Sequence, residues 1–546
     1  MGQGATLISR RGVLLGATAL AAGLHGCTRP GEPAYAGGWV GADHERAHRW
    51  LRDRKSGALP SPAVSRRAGV MIVGSGVAGL AAARALRQAG IDDVHLIELE
   101  DTPGGNSRGH RLGGMACPLG AHYLPLPGRH AHEVAELLDE LGVRRSEHGR
   151  AVYDERHLCH SPQERLYIDG QWQDGLLPRA DDDVALREHY RAFAAAVEAL
   201  RRELPFAVPT ARAEWRAGHA ALDATTFAQW LDAHDLSHAK LRWYLDYCCR
   251  DDYGAGAAQV SAWAGLHYFA SRHGFHAPGD EHEDRDAVLT WPEGNAWLVE
   301  RLASAHSERL HAGHVALRVS EERHAVGIDC WNAKQMQAER WSARHVVLAV
   351  PLFIALRLLD APSAALAAAA SQMHYAPWLV ANLQLDRPLT DRPGPALAWD
   401  NVLYGGAALG YVDAMHQSLR PHAGPTVLTA YWALGGDSMA QTSAQRRALL
   451  SAPWQAWAQP LLSELSQAHP DLPRKTRQID LMRYGHAMSI PSPGVRGSLA
   501  LRALAAAKGR VWFAHSDLSG YSVFEEAFFH GQRAGERIAA ALKSPA

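Results

Sequence analysis

The stretch "AGVMIVGSGVAGLAAARALRQAGIDDVHLIELEDTPGGNSRG", residues 68–109, is the one from which the rest of the chain can be read. Val70 to Val73 is a short apolar run, suited to a strand buried on both faces. Gly74-Ser75-Gly76-Val77-Ala78-Gly79 follows as G-x-G-x-x-G and opens a helix over about 77–89. Gly74 permits the tight turn, Gly76 lets backbone approach a diphosphate, and Gly79 allows close packing of the helix. The free N–H groups of the first turn, around Ala78, and the positive end of the helix dipole face the anion. A second strand follows at 93–98. It ends on Glu98, 24 residues after Gly74, where a carboxylate accepts hydrogen bonds from ribose hydroxyls. Strand, turn, helix, strand and acid in this order predict a dinucleotide site. They do not by themselves separate NAD from FAD.

The chain around this unit is 546 residues long, with 47% hydrophobic and 21% charged residues, so two intertwined domains with a large core are expected. A formal net charge of −1 gives no argument for nucleic acid as a partner. Lysine is scarce: only residues 55, 240, 334, 475, 508 and 543. The six cysteines (27, 117, 159, 248, 249, 330) show no zinc-ligand spacing, and buried free thiols are expected. At the start, Ser9-Arg10-Arg11 precedes an apolar run from Val13 to Leu24 that is short for a membrane span. This resembles a twin-arginine (Tat) export signal over 1–29, and Leu24-His25-Gly26-Cys27 resembles a lipobox in which Cys27 would carry a lipid. The expected location is periplasmic or exported, with a tether to the membrane through Cys27.

Beyond 109 the pattern changes three times. Residues 30–68, rich in Gly, Pro, Arg and Ser, read as a linker with a short helix around 42–53. Residues from about 130 to 290 read as mostly helical, with Thr225 or Thr226 as an N-cap. From 314, "HVALRVSEERHAVGIDCWN" reads as two adjacent strands, and "ARHVVLAVP" as a buried strand stopped by Pro351. Strands and helices alternate over 356–475, and a strand at 510–514 precedes a long helix near Val523.

Two further motifs separate the cofactors. "PGGNSRG", 103–109, adds the glycine pair Gly104-Gly105 and Asn106 just after the ribose acid, and "GRVWFAHSDLSGYSVFEEAFFHGQRAGERIAAAL" closes the chain over 509–542. With these the chain resembles the FAD-dependent amine oxidase superfamily of monoamine and polyamine oxidases, protoporphyrinogen oxidase and carotene desaturases. The similarity covers 69–125, about 290–351 (including "WPEGNAWLVERLA") and 476–541. It implies an α/β fold, a Rossmann-type FAD-binding domain interleaved with an α+β substrate-binding domain. The FAD parts would be 69–130, 291–355 and 476–546, and the substrate parts 131–290 and 356–475. It also implies that Asp517 is delivered to the flavin by a late strand and that the helix after Ser522 points at the pyrimidine ring. From the residues alone, Ser522-Val523-Phe524-Glu525 reads as a capping box whose N-terminus stabilises negative charge.

In "CPLGAHYLPLPG", 117–128, the resemblance lays Gly120 and Ala121 against the isoalloxazine ring, with His122 next to it as a catalytic or orienting group. Tyr521, in "SGY", would supply one wall of an aromatic cage, and "RYGHAMSIPSPG", 483–494, the opposite side. The chain departs from the family in having Asn106 where Arg is usual. It has no lysine between 374 and 388, Glu526 stands at a usual glycine, and no cysteine flanks the late strand. The last points to non-covalent FAD. The implied activity is transfer of a hydride equivalent from a substrate C–H to flavin N5, from an amine or polyamine, with oxygen or a quinone taking the electrons. Two rivals remain: a desaturase of a lipophilic substrate, and a non-catalytic flavin-binding assembly protein.

Overall fold

The computed structural model describes residues 35–51, 59–272, 274–276, 287–420 and 422–543. The export signal and Cys27 lie outside these residues. Two sheets organise the fold. The first has seven strands, in the order Leu310–Ala312, Val94–Glu98, Val64–Val73, Gln337–Leu348, Val326–Asn332, His314–Glu321, with Val511–Phe513 also pairing to Gln337–Leu348. Val64–Val73 runs parallel to both Val94–Glu98 and Gln337–Leu348, and Val511–Phe513 is parallel to the same long strand. Val70, Met71 and Ile72 are fully buried, as a strand covered on both faces requires. The parallel strands and the helix Val77–Gln88 form the Rossmann-type unit expected from residues 68–109.

The C-terminal helix Phe524–Lys543 packs along Val77–Gln88. Glycine makes this approach possible: a Cβ on Gly531 would overlap the Ala78 carbonyl oxygen, and one on Gly535 would come within 2.6 Å of the Ala82 oxygen. Arg84 then ties the helices, donating to Gln532 Oε1 at 2.9 Å and to Glu140. Replacing Gly531 with Val is expected to cost roughly 3 kcal/mol through forced separation of the helices. Urea unfolding would show this as a lower midpoint at unchanged slope.

The second sheet has eight strands, in the order Ala36–Trp39, Thr476–Ile490, His374–Leu385, Thr426–Ala433, Tyr411–Asp413, Asp400–Leu403, Glu164–Ile168, Gln171–Asp174. The helices between 184 and 270 share one apolar core with its face, including Tyr253, Trp263, Trp378 and Tyr431. Among the described residues no helix is long and apolar enough to cross a membrane. The five described cysteines are unpaired, and four of them are buried.

Several expected boundaries need correction. Besides the short helix expected around 42–53, here His44–Leu51, the supposed linker 30–68 contains the edge strand Ala36–Trp39 and the first residues of Val64–Val73. Its Gly-rich strand "AGGW" draws its order from backbone pairing to Gln478–Leu481, which no side-chain pattern announces. The helical segment 131–290 includes the hairpin Glu164–Ile168/Gln171–Asp174, turned by Asp169-Gly170 at positive φ. Thr476–Ile490, grouped with the last dinucleotide part, belongs to the eight-stranded sheet. The helix Ala364–Gln372, grouped with the substrate part, and Leu352–Leu358, split by the expected 355/356 boundary, both pack in the core of the seven-stranded sheet.

Candidate active site

A cavity of 440 Å³ is lined from both sheets. At one end lie Gly74, Gly76, Ala78, Glu98, Gly104, Gly105 and Asn106. The helix Val77–Gln88 begins at Gly76 with no side chain capping it, so its first N–H groups are open. The two glycine loops are stitched together by Gly104 N–H donating to the Ser75 oxygen at 2.9 Å. Across the opening Gly76 and Gly105 face each other, and a Cβ on Gly105 would meet only Gly76 Cα, at 3.3 Å. Glu98 is fixed beside them. Its Oε2 accepts from Ser75 N–H (2.9 Å) and Ser75 Oγ–H (2.7 Å), and its Oε1 from Glu100 N–H (3.0 Å). An uncapped helix start, a side-chain-free cradle and a ribose-ready acid fit a dinucleotide cofactor. Gly79 does not line the cavity; its role is packing, since a Cβ there would overlap the Gly74 oxygen.

The middle of the cavity is built from backbone. A Cβ on Gly120 would overlap the Asn106 oxygen, and Ala121 N–H donates to that oxygen at 2.8 Å. Asn106 Nδ2 donates to Ala487 O at 2.5 Å, joining the glycine loop to the eight-stranded sheet. Asn295, from "WPEGNAW", donates through Nδ2 to Tyr123 O at 2.9 Å, while its buried Oδ1 has no partner among the described residues. Gly120, Ala121 and Asn295 all line the cavity.

The far end is aromatic and acidic. His122 stacks on Tyr431 with ring centroids 4.2 Å apart, and Tyr431 donates its hydroxyl proton to Gly120 O at 3.1 Å. Burial drives the His122 pKa down to about 3, so the ring is neutral at physiological pH and is no proton reservoir there. His486 is held to about 3 by the same cause, with Arg446 next. Trp378, Tyr431 and Tyr484 supply aromatic walls.

Asp251, Asp252 and Arg272 complete this end. Asp252 lies 3.7 Å from the Arg272 guanidinium. Burial, then the neighbouring Asp252, push the Asp251 pKa up to about 7, against smaller opposing pulls from Arg272 and the Tyr123 hydroxyl. Asp400, behind it, is raised far above the carboxylate range by burial and by Asp251. Sequence reading missed this group. "CCRDDYG" sits at the end of the helix Ala239–Tyr253, where an acidic doublet reads as solvated surface, and its Arg272 partner is distant in sequence.

At the last helix, Ser522 and Glu525 line the cavity as expected, but the capping box does not form. The helix starts at Phe524, and Ser522 Oγ accepts instead from Ser489 N–H at 3.1 Å. Asp517 does not line the cavity. Its buried carboxylate accepts from Leu352 N–H (2.9 Å) and the Tyr375 hydroxyl (2.6 Å), while His515 and Ser516 beside it face the cavity. Tyr521 is no cage wall either. It is buried against Trp263 and Tyr253, and its hydroxyl donates to Glu526 at 3.0 Å. Glu526, at the position of the usual glycine, holds it there while also accepting from Ser519 Oγ–H and Thr210 N–H. Among the described residues no lysine lines the cavity; Lys475 pairs with Asp471 at 2.7 Å.

The family model described as flavin containing amine oxidoreductase matches residues 77–539. Among solved structures, a putrescine oxidase redesigned in its cofactor binding is similar at 18% identity and a TM-score of 0.63. That match covers 87% of this chain and 100% of the other. The cyclohexylamine oxidase of Brevibacterium oxydans gives 18% identity and a TM-score of 0.65 over the same shares. A putative protoporphyrinogen oxidase from an Exiguobacterium species gives 16% identity and a TM-score of 0.57, over 87% of this chain and 99% of that one.

Proposed function

The chain belongs to the flavin containing amine oxidoreductase family and is an FAD-dependent oxidoreductase, and from that premise we propose that it oxidises an amine bearing a second cationic group, a diamine or polyamine. The observation that carries this reading is Asp251, an acid that forms no ion pair among the described residues. It faces the cavity at the end opposite the phosphate cradle, while Asp252 is matched to Arg272. Bound FAD supplies the acceptor for a hydride equivalent from the C–H bond beside nitrogen.

The residues around it bind and orient. Asp251 receives a substrate ammonium, with the Tyr123 hydroxyl nearby favouring its charged form. Tyr431, Tyr484 and Trp378 present ring faces that attract a cation and exclude water. His122, neutral and stacked, orients the substrate by shape. The N-terminus of Phe524–Lys543, with Val523 and Glu525 on the cavity wall, favours negative charge that develops there. Gly74, Gly76, Ala78, Glu98, Gly104, Gly105, Asn106, Gly120 and Ala121 hold the cofactor without a covalent bond in this reading. Export through the twin-arginine segment, lipidation of Cys27, and oxygen or a membrane quinone as electron acceptor complete the proposal.

Anaerobic stopped-flow mixing tests it. Diamines or polyamines are expected to bleach the yellow flavin band at least tenfold faster than monoamines of equal length. The apolar walls and the missing lysine favour a second reading, desaturation of a lipophilic substrate. Bleaching by isoprenoid or tetrapyrrole substrates and not by amines would establish that one instead.

A further inference from the structure

The segment 35–51 precedes the part of the chain that matches the family, yet it touches both sheets and the cavity. Its strand Ala36–Trp39 runs parallel to Gln478–Leu481 at the edge of the eight-stranded sheet, and Val40 N–H extends the pairing to Leu481 O at 2.8 Å. The chain then crosses over. Gly41, at φ +84°, sits against Met482 and Leu119, and its oxygen accepts from Arg108 Nη1 at 2.6 Å. Asp43 N–H donates to Glu100, and Asp43 Oδ1 caps the following turn through Glu45 and Arg46 N–H.

The helix His44–Leu51 lands on the residues just after the ribose acid. Arg46 Nη1 donates to Leu99 O at 2.8 Å and to Asp101 at 3.0 Å. Trp50 packs on Trp331 with centroids 5.1 Å apart, and Leu51 is buried among Val319, Leu352 and Leu358. Ala47 and Leu51 line the cavity next to Glu98, Val315 and Ala316. On its other flank His44 Nδ1 accepts from Arg483 at 3.1 Å. One short segment thus spans the seam between the sheets and covers the ribose end of the cavity.

We propose that residues 35–51 are a clasp for the adenosine part of FAD, closing the cavity beside Glu98 and setting the rate at which the cofactor leaves. This rests on the reading that the cavity holds FAD. Anchors on both sheets make the clasp more than a packing element: the adenosine end can escape only if it lifts. Its exposed anchor, Arg46–Asp101, is a weak surface pair, so breaking it loosens the clasp without unfolding the protein.

The test is FAD release from full-length holoenzyme, followed as flavin fluorescence recovers after dilution. The double variant Arg46→Ala/Leu51→Ala is expected to release FAD at least tenfold faster. Arg46→Asp alone is expected to speed release severalfold, and Arg46→Asp with Asp101→Arg to restore most of the wild-type rate. Should the double variant fail to fold, the Arg46→Asp and swap pair decides. A release rate unmoved by these changes in yellow, folded protein would overturn the clasp and leave the FAD reading standing. Wild-type protein that binds no FAD would overturn both.

Discussion

Gly76→Val is expected to give a folded but colourless protein. Gly76 has φ −71° and ψ −176°, an extended conformation open to any residue, so valine brings no backbone strain. A Cβ there meets only Gly105 Cα and N, at 3.8 and 3.9 Å, which is ordinary contact. The two methyl groups project over the uncapped start of Val77–Gln88, where a diphosphate would lie. FAD affinity should fall on the order of 100-fold or more, about 3 kcal/mol. Titrating apoprotein with FAD and following flavin fluorescence measures this. The melting temperature of the apoprotein should stay within about 2 °C of wild type. Gly79→Val, one turn later, is expected to behave in the opposite way: its side chain strikes the Gly74 carbonyl and the strand–helix unit itself fails. A Gly76→Val protein that binds FAD normally would show that the cradle holds something else.

The second large effect is expected from Asp251→Asn. Asparagine keeps the shape but removes the charge. Loss of one member of a buried charge pair costs about 3 kcal/mol, so kcat/KM for a diamine should drop on the order of 100-fold. A monoamine of the same length should lose far less. The wild-type profile carries its own signature. With the Asp251 pKa raised to about 7 by burial and then Asp252, the carboxyl is neutral below that pH and charged above it. Binding of a cationic substrate should therefore strengthen as pH rises through about 7, and Asp251→Asn should flatten this limb. Stability moves the other way. A carboxyl whose folded pKa is raised disfavours the folded state as pH climbs above its unfolded value, with the loss growing through about 7. The Asn variant should thus melt higher than wild type at pH 8 and equally at pH 3. Equal kcat/KM for diamines in both proteins would remove the ammonium role from Asp251.

How much was legible depended on how local the signal was. Residues 68–109 carry their geometry within one βαβ unit, so the turn, the helix start and Glu98 could be placed from spacing alone. Gly120 and Ala121 were found through the family pattern; both line the cavity, and their close backbone contacts are to the Asn106 carbonyl. Asp517 and Tyr521 were correctly placed just after the late strand, in and beyond the turn Ser516–Ser519, but given the wrong neighbours. Their side chains point away from the cavity because Tyr375 and Leu352 recruit one, and Glu526 recruits the other. Glu526 was noted as a departure from the family, and that departure was the signal that Tyr521 had been withdrawn. Asp251, Asp252 and Arg272 meet only after the helices over 239–270 fold onto the eight-stranded sheet, so no spacing rule brings them together. The edge strand Ala36–Trp39 was invisible for a different reason: its stability comes from main-chain pairing with a strand some 440 residues away.

The seven-stranded sheet places Val64–Val73, Gln337–Leu348 and Val511–Phe513 side by side, and lays Phe524–Lys543 along the helix that follows the first of them. A ribosome finishes the first of these strands hundreds of residues before the last. Until the tail of the polypeptide emerges, Val77–Gln88 has an uncovered apolar flank and a half-built nucleotide pocket, a state exposed to aggregation and unable to hold a coenzyme. A nascent chain arrested before residue 524 is therefore expected to stay flavin-free however long it waits.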